Sequence, residues 1–129
     1  MKAAVRYYSR TGHTKALAQA IAKGAGVTAE SVPAEMTEKV DVLFIGSGLY
    51  AAFLDKHLKD YLESLDASKV GKVVMFSTSM LSKRAFPLMK KVLEAKGITV
   101  ADETCYAKSM PNADLLKEAE LFGKKLSSN

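Results

Sequence analysis

Val40–Ile45 (VDVLFI) and Lys72–Phe76 (KVVMF) are almost continuously apolar, and the segments between such runs carry a helical period. That combination constrains the fold more than any other feature of the chain. A strand facing water on one side alternates apolar with polar residues, whereas an unbroken run is buried on both faces. Lys2–Tyr8 (KAAVRYY) reads as a buried first strand. From Gly12 the period changes, and Thr14, Leu17, Ala18 and Ile21 fall on one helical stripe that Gly24 and Gly26 are expected to stop. Val27–Val32 reads as a second strand ended by Pro33, with Val40–Ile45 as the third. Asp55–Leu65 reads as a helix with Leu54, Leu58, Tyr61, Leu62 and Leu65 inward, and Lys72–Phe76 is the fourth strand. Lys83–Lys96 holds the next helix, ended by Gly97; Pro87 suits a first turn, which puts the true start near Phe86. Ile98–Tyr106 is a fifth strand. Asn112 can then cap a last helix that carries Leu115, Ala119, Phe122 and Leu126 on its inner side.

Strands alternating with amphipathic helices predict an α/β fold: a parallel sheet covered on both faces. The irregular stretch is Pro33–Lys39, too short for an ordinary parallel crossover, so any helix there is one turn or missing. With 129 residues the chain has room for one domain, 1–129. Hydrophobic content of 48% beside 26% charged residues is that of a globular chain, and disorder is not expected. The apolar runs are far too short for a membrane span, and no secretory signal is read at Met1-Lys2, so the expected location is cytoplasmic. The lone Cys105 rules out an internal disulfide and a multi-cysteine zinc site. It lies in the fifth strand and reads as a buried, inert thiol. Nineteen basic and fourteen acidic residues give a net charge of +5, scattered through helices rather than gathered in an arm, and no nucleic-acid motif accompanies it.

In an open parallel sheet, ligands sit beyond the carboxyl ends of the strands, where the winding reverses. The first strand runs there into Ser9-Arg10-Thr11-Gly12-His13-Thr14 and on into the first helix. Three hydroxyls and a run of backbone N–H groups surround a helix start whose partial positive charge favours an anion. Gly12 lets the backbone approach closely, and Arg10 and Lys15 add charge. An ordinary helix cap would need only one of the hydroxyls. Other anion loops fail on composition: there is no Walker pattern, no loop cysteine for a phosphatase and no Asp ending the first strand. Gly46-Ser47-Gly48-Leu49-Tyr50-Ala51 matches a dinucleotide fingerprint, but it follows the third strand and no acid ends the next one, so it reads as a chance match. His57 reads as a surface residue of the second helix. No Ser-His-Asp set, carboxylate pair or metal-ligand cluster is evident.

The loop Ser9–Thr14 resembles the flavodoxin phosphate loop, Ser/Thr-x-Thr-Gly-x-Thr, and stands at the same place in the strand–helix order. Gly46-Ser47-Gly48-Leu49-Tyr50 resembles the family's second flavin loop, and Phe76-Ser77-Thr78-Ser79 its third. Met110-Pro111-Asn112-Ala113-Asp114 is similar to the segment opening the last helix of short flavodoxin-like proteins. The resemblance spans the whole chain. It implies a doubly wound, open, five-stranded parallel sheet of order 2-1-3-4-5 in three layers. It also implies flavin mononucleotide (FMN) as cofactor. Ser9, Arg10, Thr11, Gly12, His13 and Thr14 would cradle the phosphate. Ser47, Gly48, Leu49, Tyr50 and Ala51 would lie on one side of the ring, with Ser77, Thr78, Ser79 and Met80 on the other, and Tyr50 would stack on it.

Three departures from the family shape the expectation. Met80 and Leu81 stand where a second aromatic is common, which implies a more exposed ring. Ala51-Ala52 follow Tyr50 where flavodoxins keep a glycine whose peptide flips, so the one-electron-reduced flavin is expected to be weakly stabilised. The +5 charge differs from acidic flavodoxins and points to acidic redox partner proteins, with the chain a monomer or weak dimer. The function implied is electron transfer between partners. A flavodoxin-like reductase of a small substrate, and a flavin-free binding module on the same fold, are the alternatives.

Overall fold

The computed structural model describes residues 1–49, 53–80 and 82–128. Among these the chain order is β1 (Ala3–Tyr8), α1 (His13–Ala25), β2 (Ala29–Ser31), β3 (Val40–Gly48), α2 (Lys56–Ser64), β4 (Val70–Thr78), α3 (Ala85–Ala95), β5 (Val100–Ala107) and α4 (Ala113–Leu126). A short 3₁₀ turn, Ala67–Lys69, leads into β4. The five strands form one parallel sheet in the order β2-β1-β3-β4-β5. This is the doubly wound, three-layer arrangement expected. β3 and β4 outrun their expected apolar segments, because Gly46–Gly48 and Ser77–Thr78 continue the ladders. β2 is shorter than expected, holding only Ala29–Ser31 against β1.

Two buried clusters lie on opposite faces of the sheet, and the period-2 alternation of the strands separates them. Val5, Phe44, Val74 and Phe76 face α1 and α4, with Leu17, Ile21 and Ala119. Ala4, Leu43, Ile45, Val73 and Met75 face α2 and α3, with Leu58, Leu62, Met89 and Leu93. Each fully buried Leu or Phe here contributes roughly 1.5–3 kcal/mol by leaving water. Pro87 lies in the first turn of α3, where its missing N–H breaks no helical bond, and Asn112 Oδ1 caps α4 by accepting from Leu115 N at 2.9 Å.

Only one of the two glycines expected to stop the first helix does so. Gly26, at φ 74°, takes the left-handed turn, and its N–H donates back to the carbonyls of Ala22 and Lys23. Gly24 lies inside α1 for another reason. A Cβ there would fall 1.7 Å from the carbonyl oxygen of Glu120 on α4. The relation is reciprocal, since a Cβ on Gly123 of α4 would fall 2.1 Å from the carbonyl oxygen of Ile21. Bare backbone therefore meets bare backbone where the two helices touch.

The β2–β3 connection, residues 32–39, carries no helix, as its length implied. Arg6 of β1 fills that role. Its side chain is buried on the α2/α3 face; Nε donates to Ala34 O at 2.9 Å, and the terminal nitrogens reach Glu35 O at 3.2 Å and Val5 O at 3.1 Å. Glu30 Oε2 lies 3.1 Å from the same guanidinium, and Tyr61 OH also donates to Ala34 O, at 2.9 Å. Arg6→Leu should cost about 2–4 kcal/mol in urea unfolding, because Glu35 O loses the Arg6 donor and Ala34 O is left with Tyr61 OH, and Arg6→Lys should recover only part, lacking the planar fork.

Candidate functional site

The carboxyl ends of β1, β3 and β4 finish level: Tyr8 pairs with Ser47, Ser47 with Ser77, and Gly48 with Thr78. α1 covers one face of the sheet and α2 the other, so the winding reverses between β1 and β3. Loops at this edge begin at Ser9, Leu49 and Ser79.

The first loop is built around Gly12, whose φ of 91° is left-handed and which stands at the N-cap of α1. Ser9 Oγ accepts from Gly12 N at 2.9 Å and closes the turn. No side chain caps α1, in contrast to α2 and α4. Nothing lies within 4 Å of where a Cβ on Gly12 would stand. The first N–H groups of a helix have no intrahelical acceptor, so this start presents donors and a partial positive charge across open space. Thr11 is exposed, His13 is half-buried, and Thr14 is buried with its Oγ1 2.5 Å from Thr78 Oγ1. Of the three loop hydroxyls, then, Thr11 is exposed, Ser9 shapes the turn and Thr14 ties α1 to β4.

The second and third segments start later than the sequence suggests. Ser47 and Gly48 are buried strand residues, not loop residues. Ser77 Oγ donates to Ser47 O at 2.7 Å and ties the end of β4 to β3, while Ser47 Oγ donates to the next carbonyl, Gly48 O, also at 2.7 Å. Gly46 is also within β3, under the ring of Phe76, where a Cβ would fall 2.2 Å from ring carbons. That close approach, rather than a nucleotide turn, explains its lack of a side chain. Leu49 is half-buried at the end of β3; Tyr50, Ala51 and Leu81 lie outside the described residues. Ser79 N donates to Ala107 O at 3.0 Å, and Tyr106 OH donates to Ser79 O, which pins the start of the third loop. Met80 beyond it is 75% exposed.

A cluster that the sequence did not reveal joins the first loop to α2. Asp55, buried at 5% exposure, caps α2 through Oδ1, which accepts from His57 N and lies against His57 Nδ1, both at 2.8 Å. Its Oδ2 accepts from Arg10 Nε at 3.1 Å and from the neighbouring Arg10 nitrogen. The His57 ring stacks on Tyr8 with centroids 5.0 Å apart and planes within 6°. Burial alone would raise the Asp55 pKa; the hydrogen bonds from Arg10 and from the backbone and ring of His57 outweigh it and hold the carboxyl below its ordinary range. His57 is on the surface as read, yet Asp55 is its partner. An Asp at a helix start, followed two residues on by His, was the available signal. What remained hidden was that Arg10 arrives from a segment 45 residues away.

Cys105 is buried in β5, and burial pushes its thiol up to about 11, as an inert thiol requires. No group of His, Cys, Asp and Glu among the described residues could hold a metal ion, and no described helix is long and apolar enough to cross a membrane.

Comparison with known proteins places this geometry in a fold. No protein-family model matches the chain, and no curated protein matches it in sequence. Solved structures do match. A flavodoxin from the domain Archaea is similar at TM-score 0.83 and 21% identity over 98% of this chain and 96% of that one. A short-chain flavodoxin associated with a non-canonical PDU bacterial microcompartment gives 0.72 and 18%, over 99% and 100%. Rubredoxin oxygen:oxidoreductase from Desulfovibrio gigas gives 0.77 and 13%, over 98% of this chain but 35% of that one. The chain has the flavodoxin-like fold.

Two outcomes follow from the site. The low folded-state pKa of Asp55 contributes stability above the ordinary carboxylate value of about 4, which is lost as pH falls through the folded value. The melting-temperature gap between wild type and Asp55→Asn should therefore be widest near neutrality and shrink in acid. Cys105 should resist an aromatic disulfide reagent in the folded protein near pH 8 and react on unfolding in denaturant.

Proposed function

We propose that this protein binds FMN at the carboxyl edge of its sheet and carries electrons between redox partner proteins. The observation that carries this reading is the uncapped start of α1 behind a left-handed Gly12 with open space above it, at the point where the winding reverses. The site fits the group: the phosphate dianion would take the free N–H groups of the first turn of α1 and the exposed hydroxyl of Thr11. Ser9 and Thr14 would hold the loop in shape rather than bind directly. Arg10, drawn to Asp55, would border the phosphate as one half of an ion pair. The ring would lie toward the segments leaving β3 and β4, near Leu49, Ser79 and Met80, with Tyr50 and Ala51 in the connecting stretch; bound flavin supplies the redox chemistry.

Likeness to flavodoxins over nearly their full length favours a stand-alone carrier, with acidic partner proteins favoured by the +5 charge. Likeness to one third of an oxidoreductase favours a second reading, in which the chain acts as the flavin-bearing part of a reductase. A cytoplasmic location and a single domain, 1–129, accord with either. Turnover with a reductant and small acceptors, in the absence of any partner protein, separates the two.

Titration with FMN, followed by quenching of flavin fluorescence, should show saturable binding, and riboflavin, which lacks the phosphate, should bind far more weakly. Thr11→Ala should weaken FMN by about 1–3 kcal/mol with the melting temperature of the free protein unchanged, whereas Thr14→Ala should also destabilise the fold. A folded wild type that stays colourless through gel filtration with excess FMN would sink the proposal.

A further inference from the structure

An open groove of about 630 Å³ runs between α2 and α3, on the side of the sheet away from α1 and α4. Its floor is apolar, with Leu54, Leu88 and Val92 half-buried, and Phe53 stands at its head 67% exposed. Lys59 of α2 and Lys91 and Lys96 at α3 form the rim, against a single acid, Glu63. Lys96 Nζ donates to Glu63 O at 2.8 Å, so one of these cations already braces the rim across the two helices.

We propose that this groove docks an amphipathic, acidic helix of a partner protein. A furrow between two neighbouring helices accepts a third whose apolar residues recur at i, i+3, i+4 and i+7. Lysine stems extend the apolar walls while their ammonium groups stay at the rim. The rim is therefore cationic where the outer edges of such a helix would lie, and glutamate or aspartate at those edges completes it. A second copy of this chain is a poor occupant, since each copy brings the same +5 charge. α2 spans nine residues, or about 14 Å, which suits two to three helical turns of the occupant. Phe53 and Leu54 immediately precede Asp55, so the occupant would rest beside the segment that leads to the Arg10 cluster. The proposal requires no flavin, and a chain that failed to bind FMN would still pass its test.

The test is a nitrogen–proton correlation titration of the full chain with a synthetic peptide of about 18 residues, long enough to form helix, carrying leucines on one face and glutamates on the other. Amides of residues 54–63 and 88–96 should shift. A peptide with lysine in place of every glutamate should leave them unmoved. The exposed double change Lys59→Glu, Lys91→Glu should weaken the acidic peptide by about tenfold or more at low salt, with less effect at high salt, and should admit the lysine peptide. Three results overturn the proposal: equal binding of both wild-type peptides, shifts confined to another face, or a concentration-dependent dimer in sedimentation that shifts these same amides without peptide.

Discussion

The structure hangs on a guanidinium in the place of a helix. β1 lies between β2 and β3, so the chain must cross β1 within residues 32–39, with no helix to satisfy its own backbone. Carbonyls left bare on the α2/α3 face would carry a desolvation cost comparable to a lost hydrogen bond each. Arg6 supplies donors to Ala34 and Glu35, and Tyr61 of α2 supplies another. An arginine suits this because its fork spreads several donors in one plane and is less strongly hydrated than an ammonium. With no helix in the crossover, α2 itself reaches the β1 side of this face: Tyr61 meets Ala34, Asp55 at its start meets Arg10, and His57 stacks on Tyr8.

Electrostatically the site has two parts with different rules. At the start of α1 the positive charge is backbone charge, fixed in direction and not titratable, which suits a permanent anion. At the start of α2 the charge is carried by side chains, and a buried carboxylate balances the Arg10 guanidinium and the N–H groups of His57. Because Asp55 sits at 5% exposure while Arg10 and His57 face water, removing the acid and removing either base are unequal changes. The acid without its donors is the costly case.

Much of this was legible in the sequence, and the reasons differ by feature. Continuous apolar runs announced β3 and β4, since only burial on both faces explains them. The positions of Pro87 and Asn112 in their helices followed from backbone chemistry local to a few residues. The loop at Gly12 was legible because an anion-binding helix start is also local. Strand ends were less clear: Ser47 and Ser77 look like loop residues, and only their ladder pairing between β3 and β4 makes them strand. Features that join distant segments were silent. Arg6 passes as one more residue of a buried strand, Gly24 reads as a helix stop, and Asp55 as the first residue of a helix.

The glycine-to-carbonyl seat between α1 and α4 has a consequence for order of assembly. The first helix of the chain, whose head forms the Gly12 turn, can settle at its final depth only against Gly123, more than a hundred residues after its contact at Ile21. During synthesis from the ribosome, sheet strands and α1 exist well before their last neighbour emerges, with the apolar stripe of Leu17 and Ile21 incompletely covered. The anion-facing edge is thus finished from the opposite end of the molecule. Peeling α4 away by local unfolding would loosen that edge without breaking a single strand pairing.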